Sequence, residues 1–171
     1  NNKFSVAHSF VVPVYAIKTK ITSEKVKPFT SEILQHFADY LKEDEIVPTS
    51  NPLVTELKAK ITSRISNPYL QAKAIYNYLI ENFEILSDLR PAESSVTELI
   101  ENKSGDAYDF AMIFCALARN AKIPCIPVSG IYVDSNMEAH NHWWNEFYIQ
   151  DFGWIPVDVA LGAGLEYLNY T

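Results

Sequence analysis

Residues 104–125, SGDAYDFAMIFCALARNAKIPC, decide the fold of this chain. From Ala107 to Ala118 almost every side chain is apolar or small, and these side chains fall on all faces of a helix. A helix with that pattern is enclosed by protein and does not lie on the surface. Asp106 stands directly before it and belongs to the residue types preferred at an N-cap. We therefore predict a buried central helix that begins at Ala107.

Three strand-like runs follow the central helix and are separated by turn residues. They are IPCIPVSGIYV at 123–133, HNHWWNEFYI at 140–149 and GWIPVDV at 153–159. Helices thus precede strands, whereas a parallel sheet requires the two to alternate. The order predicts an α+β fold in which an antiparallel sheet packs on the central helix.

Helix-start signals mark the region before the central helix. Asn51-Pro52 and Asn67-Pro68 each combine an N-cap residue with a first-turn proline, which predicts two amphipathic helices between residues 52 and 82. Ser95 with Glu98 three residues later forms a capping box for a short helix, VTELIEN. The two amphipathic helices each have an apolar face and need a common core to cover it.

Residues 1–50 carry weaker signals. The alternation from Tyr15 to Ile21 predicts a half-buried strand, and Pro13 places that strand at a sheet edge. Thr30 and Ser31 offer caps to a further helix. We expect residues 51–171 to form the core of the domain, with residues 1–50 either an extension of that core or the tail of a preceding domain.

Composition limits the classes of function. A chain of 171 residues with a net charge of −7 has the size of one domain, and no segment clusters Lys or Arg with aromatics as a nucleic-acid site requires. The longest apolar stretch, 110–118, is half the length of a membrane span. Cys115 and Cys125 lie in apolar contexts typical of packed thiols. Because the chain starts at Asn1 without a leader, we expect a processed protein or an excised piece.

Position 107 is where a nucleophile would gain most from the helix. The unpaired N–H groups and the dipole at a helix start favour negative charge. A thiol there would be acidified, and the same N–H groups could hold an oxyanion during acyl transfer. Ala107 can supply only its backbone.

The strand 140–149 carries a candidate acid–base residue. Alternation sends one set of side chains to each face: His142, Trp144, Glu146 and Tyr148 to one, and Trp143, Asn145 and Phe147 to the other. If the following turn is centred on Gln150, Glu146 faces Trp154 and His142 faces Asp158. Such a pair fixes the imidazole tautomer and stabilises the protonated ring. A turn centred on Phe152 and Gly153 would separate them, so the chemistry favours the earlier turn.

Three ordered blocks of this sequence resemble the transglutaminase-like superfamily, whose members are relatives of papain-type cysteine peptidases. The blocks are GDAYDFAMIFCALARNAKIPCIPVSG, HWWNE and GWIPVD, within residues 52–162. The resemblance implies that position 107 holds the nucleophile, that His142 is the general base and acid, and that Asp158 orients His142. It implies acyl transfer from polypeptide amides without a cofactor or metal, and it favours an exported, periplasmic or cell-surface location.

The cleft of such a site has a further set of expected members. These are Asp106, Tyr108, Trp143, Trp144 and Trp154, the last two of them as core and cleft-wall aromatics. His140, Asp134 and Glu138 could also be imagined as a metal site with His142, but a solvated loop is the better account of residues 134–139.

Ala107 leaves two interpretations open. The first is a catalytic domain whose cysteine has been replaced, naturally or in the laboratory. The second is a natural pseudoenzyme whose cleft binds a peptide, a glycan or a protein without turning it over. No other residue is a good substitute nucleophile: Cys115 lies on the order of 12 Å further along the helix, Cys125 belongs to a strand, and Ser104 precedes the cap.

Overall fold

A computed structural model describes residues 4, 6, 11–13, 15, 19–87 and 95–167 of the chain. In chain order the elements are α1 (Ser31–His36), α2 (Pro52–Thr62), α3 (Pro68–Asn82), β1 (Glu84–Ile85), α4 (Val96–Asn102), β2 (Ser104–Gly105), α5 (Ala107–Asn120), β3 (Cys125–Val133), β4 (Ala139–Ile149), β5 (Gly153–Val157) and α6 (Val159–Gly162). Short 3₁₀ turns at Ser23–Lys25 and Ala38–Leu41 flank α1.

Helix α5 is the central helix that the sequence predicts. It begins at Ala107, and between Ala107 and Arg119 every side chain except Tyr108 is buried. The helix contacts α2, α3, α4, α6 and the sheet, so its all-round apolar surface is covered on every side. Among the described residues, no helix has both the length and the apolar character that a membrane span requires.

The predicted caps begin the outer helices. The Asn51 side chain accepts from the Leu53 amide and the Asn67 side chain from the Leu70 amide, each with a proline in the first turn. Ser95 and Glu98 form the reciprocal capping box of α4. Side-chain acceptors thus satisfy N–H groups that have no partner within the helix.

The main sheet is antiparallel, with strand order β3-β4-β5, which confirms the α+β prediction. Phe147 packs its ring against Phe114 of α5, with 6.1 Å between ring centroids. On the other face, Tyr148 packs against Phe37 at 4.2 Å. A parallel pair, β1 with β2, was not expected, because two-residue strands leave no periodic pattern in a sequence. This pair leads directly into the start of α5.

The predicted register of β4 with β5 is wrong by two residues. Glu146 faces Pro156, not Trp154, and Ile149 faces Gly153. The turn is centred on Asp151, which has a left-handed φ of 70°, and Gly153 follows with a φ of 83°. Asp and Gly are the residue types that adopt this backbone most readily, so the chain turns one residue later than the chemistry suggested. Asp158 consequently lies beyond the end of β5.

Part of the segment that precedes α2 packs on the same core, whereas the described residues from Phe4 to Tyr15 are exposed. Val26 and Val47 are buried with the central cluster, and the Arg119 guanidinium donates to the Lys42 carbonyl at 2.7 Å. Helix α1 begins at Ser31, and Thr30 is its N-cap, one of the two caps that the sequence offered. Of the predicted strand from Tyr15 to Ile21, residues 16–18 lie outside the described residues, and the described remainder belongs to no strand.

Candidate active site

A cleft of about 500 Å³ lies at the start of α5. One wall, the helix wall, consists of Asp106, Ala107 and Tyr108. Across from it are Ala139–Asn141 and Trp143 of β4, with Leu165 and Tyr167 from the C-terminal end of the described chain. The cleft therefore brings together parts of the chain that are far apart in sequence.

The helix wall is held by a second capping box. Asp106 accepts from the Asp109 amide at 3.1 Å, and Asp109 accepts from the Asp106 amide at 3.1 Å. Asp109 is only 4 % exposed. Gly105 allows the approach, because a Cβ there would lie 2.7 Å from the Cβ of Asp109. Since Ala107 lines the cleft, the positive end of the helix dipole faces it.

Strand β4 also carries the buried imidazole of His142, which together with Asp158 we call the sheet wall; neither residue is among those that line the cleft. His142 is 3 % exposed, and its Nε2 lies 2.6 Å from Oδ2 of Asp158. The other oxygen of Asp158, Oδ1, accepts from the Leu161 amide at 3.0 Å and caps α6. The two side chains meet although they are not opposite each other in the sheet, because Asp158 reaches back from the first residue after β5. The later turn thus preserves the predicted pairing.

The second nitrogen of His142 also has a partner. Nδ1 lies 2.5 Å from the hydroxyl of Tyr167, and that hydroxyl donates to the Asn141 carbonyl at 3.1 Å. A phenol has one proton. When the phenol donates its proton to the Asn141 carbonyl, the hydrogen bond between the phenol and Nδ1 must use a proton on Nδ1. When the phenol donates to Nδ1 instead, Nδ1 is the acceptor.

The predicted cleft aromatics divide into two groups. Tyr108 and Trp143 line the cleft and meet edge to face, with 5.1 Å between centroids. Trp144 stacks beside His142 at 6.3 Å and lies over Gly130, where a Cβ would be 2.6 Å from the indole ring. Trp154 packs edge-on against Tyr40 at 4.9 Å. The structure places neither Trp144 nor Trp154 in the lining of this cleft.

The native cysteines are packed in the interior. Cys115 and Cys125 are both buried and free, and the Cys115 thiol donates to the Cys125 carbonyl at 3.5 Å. Burial raises the pKa of the Cys125 thiol well above its usual value. Neither cysteine lines the cleft. Ser104, in β2, is also outside the lining, so the structure brings no alternative nucleophile from these three residues to position 107.

Three residues that position the site were missed in the sequence. Asp109 completes the capping box of α5, and the D-x-x-D spacing from Asp106 could have predicted it. Asn145 is fully buried and donates to the Ala111 carbonyl at 3.0 Å, tying β4 to α5. It lies between Trp143 and Phe147 on the same face of β4. Tyr167 gave no signal, because it lies in no motif and meets His142 only through the fold.

Asp134, Glu138 and His140 cluster at the turn between β3 and β4. Their potential ligand atoms lie within 4.8 Å of one another, and Nε2 of His140 is 3.2 Å from Oδ2 of Asp134. The Glu138 amide, donating to Asp134, is the main cause that lowers the pKa of that carboxyl. His142 is not a member of this cluster, because its nitrogens contact Asp158 and Tyr167.

The sequence match identifies the family. Residues 55–159, more than half of the chain, match the family model of the transglutaminase-like superfamily. The chain therefore belongs to the transglutaminase-like superfamily. It is also 28 % identical over 146 residues to an uncharacterised protein of Haemophilus influenzae, an alignment that covers 71 % of this chain and 39 % of that protein.

Solved structures share the fold. A candidate cysteine protease from Cytophaga hutchinsonii aligns with a TM-score of 0.62 at 24 % identity, covering 73 % of this chain and 42 % of that one. The periplasmic domain of TgpA from Pseudomonas aeruginosa aligns with a TM-score of 0.60 at 19 % identity, covering 73 % and 46 %. The chain thus spans less than half the length of each of these proteins.

Proposed function

We propose that this cleft is the site of cysteine-dependent acyl transfer on polypeptide amides, with position 107 as the nucleophile position, His142 as general base and acid, and Asp158 as the residue that orients His142. The observation that carries the proposal is the 2.6 Å contact between His142 Nε2 and Asp158 Oδ2 beside the cleft at the start of α5. A buried imidazole with one nitrogen held by a carboxylate is suited to transferring protons through the other.

The chemistry assigns one task to each wall. A thiolate at position 107 would attack the amide carbonyl, and the N–H groups at the helix start would stabilise the oxyanion. His142 would donate its Nδ1 proton to the departing amine, leaving a thioester at position 107. Water or a second amine would then attack the thioester with His142 as the base, releasing the thiolate. The first outcome is hydrolysis and the second is transfer.

Ala107 has no sulfur, so the chain as written can form no thioester. Both interpretations of Ala107 remain proposals. The intact mass of the protein from its native host separates a laboratory substitution, for which position 107 there is a cysteine, from an alanine that the natural protein itself carries.

Restoring the thiol tests the catalytic proposal. We expect Ala107→Cys to react with iodoacetamide at pH 6 about tenfold faster than an ordinary thiol, because the helix start raises the thiolate fraction more than it lowers nucleophilicity. Ala139→Cys is the matched control, because Ala139 lines the same cleft and is exposed on a strand, away from any helix start. The variant should also release ammonia or amine from peptide amides in a His142-dependent manner.

A result in which both new thiols react alike, with no His142-dependent turnover, would contradict the catalytic proposal. The alternative of a binding module is supported by the aromatic pair Tyr108 and Trp143 in the cleft lining. It predicts that the unmodified chain binds peptides, glycans or a protein partner with an affinity that falls in Trp143→Ala and is unchanged in His142→Ala.

A further inference from the structure

Residues 163–167 follow α6 and return over the cleft; we call them the C-terminal strap. Gly164 has a left-handed φ of 90°, with open space where a Cβ would be, and reverses the chain. The Leu165 amide then donates to the Ala160 carbonyl at 3.0 Å, and the Leu165 side chain is buried at the cleft. The strap thereby delivers Tyr167 to His142.

Tyr167 is held by rings as well as by its hydroxyl. It stacks on His140 with 4.3 Å between centroids and an interplanar angle of 10°, and on Tyr132 at 5.6 Å. Its hydroxyl oxygen lies 2.5 Å from His142 Nδ1. Because Asp158 occupies Nε2, Nδ1 is the nitrogen left for a reacting group. A thiol or a departing amine that uses Nδ1 must take the place of the Tyr167 hydroxyl.

We propose that Tyr167 is a gate on this site. The strap keeps the Tyr167 hydroxyl on Nδ1 of His142, so that Nδ1 is blocked until a polypeptide substrate occupies the cleft and displaces the phenol. The gate rests on the proposed function. Single hydrogen bonds and ring contacts are individually modest, so a bound polypeptide with more contacts can shift the equilibrium to the open arrangement. Gly164 supplies the flexible point about which the strap can turn.

The gate can be tested on the chain as it stands with diethyl pyrocarbonate, which acylates an unprotonated imidazole nitrogen. The modification rate of His142 is measured by peptide mass spectrometry, relative to exposed His36 in the same sample. We expect Tyr167→Phe to raise that relative rate about fivefold, as loss of one hydrogen bond of about 1 kcal/mol would. Tyr167→Ala should raise it further.

Tyr132→Phe is the matched control, because it removes a phenol hydroxyl from a ring that also packs near His142, at 5.7 Å, without the Nδ1 contact. We expect its rate to stay within about twofold of the unmodified chain, since no hydrogen bond to the imidazole is lost. Unchanged or slower modification in Tyr167→Phe would overturn the gate. Should Tyr167→Ala lose its folded circular dichroism spectrum, the Phe variant carries the test.

A second arm separates failure of the gate from failure of the proposed function. In the Ala107→Cys background, the gate predicts that Tyr167→Phe raises kcat/KM for peptide amides, mainly through a lower KM. If Ala107→Cys turns over peptide amides in a His142-dependent manner and Tyr167→Phe lowers kcat in that background, Tyr167 is a positioning residue and the gate proposal is wrong. If Ala107→Cys shows no His142-dependent chemistry, the proposed function fails, and the His142 modification rates still decide whether Tyr167 covers the nitrogen.

Discussion

The two walls of the cleft come from different layers of the fold and differ in what they contribute. The helix wall begins a helix that is buried along its length, and its cap is a reciprocal pair of carboxylate-to-amide hydrogen bonds. The sheet wall carries His142 and Asp158, whose contact depends on a turn and on a strap. In the proposed mechanism, the helix wall supplies the electrostatic field of a helix start and the sheet wall supplies the groups that would transfer protons. A single side chain on the helix wall can therefore be exchanged while the sheet wall keeps its arrangement.

Removing the imidazole should have the largest effect. In the Ala107→Cys background, we expect His142→Ala to lower amide turnover by about a thousandfold or more, because residues of a catalytic triad act as a unit. Turnover is measured by ammonia or amine release under saturating peptide amide. Comparable turnover with and without His142 would show that the sheet wall contributes no proton transfer.

The next comparison concerns rigidity at two capping boxes. We expect Asp106→Ala to lower the free energy of unfolding by about 2 kcal/mol and Ser95→Ala by about 1 kcal/mol, measured by urea denaturation. The amide of the buried Asp109 donates to the Asp106 carboxylate and would lose this acceptor in Asp106→Ala. The capping box of α4 is exposed, so water can replace the acceptor that Ser95→Ala removes. Equal losses would argue against a more rigid helix wall.

Asp158 allows its two tasks to be separated. Asn retains an acceptor for the Leu161 amide, so Asp158→Asn should keep nearly all of the stability, whereas Asp158→Ala should lose about 1 kcal/mol. Both should lose turnover in the Ala107→Cys background, since neither provides a carboxylate for His142. Urea denaturation of the two variants tests the capping hydrogen bond from the Leu161 amide, and amide turnover tests the need for a carboxylate beside His142. If Asp158→Asn retained the turnover of the Ala107→Cys background, the orienting role of Asp158 would be wrong.

The smallest expected effect tests whether the space between helix and sheet excludes water. Burial raises the pKa of Cys125 in the folded chain, so stability should fall as pH rises above the thiol pKa of the unfolded chain, because only the unfolded chain then loses the proton. Between pH 7.5 and pH 9 the loss attributable to Cys125 should stay below about 1 kcal/mol. In urea denaturation at the two pH values, the free energy of unfolding of Cys125→Ala should change less with pH than that of the parent chain. An identical change in both chains would indicate that the thiol is hydrated.

Local chemistry explains which parts of this architecture could be predicted. The starts of α2, α3, α4 and α5 were predictable because each cap is decided by residues within three or four positions. The contact of His142 with Asp158 was expected from a register centred on Gln150 and from the resemblance to a family. That register is wrong by two residues, and the contact forms because Asp158 reaches back from beyond the end of β5. The shift itself depends on Asp151 in a left-handed conformation, which most residues avoid.

The remaining misses are long-range. Tyr167 meets His142 only because α6 and Gly164 return the chain over the sheet, and no periodicity encodes that return. Trp154 of the GWIPVD block was expected as a core or cleft-wall aromatic, and it packs among Phe37, Tyr40 and Tyr148, outside the cleft lining. Side-chain surroundings that arise from distant segments require the assembled fold.

The two contacts of His142 have a consequence for chain length. Asp158 holds one nitrogen of the ring and Tyr167 holds the other, so the backbone from 158 to 167 forms a macrocycle closed by hydrogen bonds through the imidazole itself. The circumference of such a macrocycle is fixed by the number of residues in it. Inserting a residue after Gly164 would leave the contact of Asp158 with His142 in place but move the Tyr167 hydroxyl away from Nδ1. Substitutions that keep the number of residues between 158 and 167 should preserve both contacts.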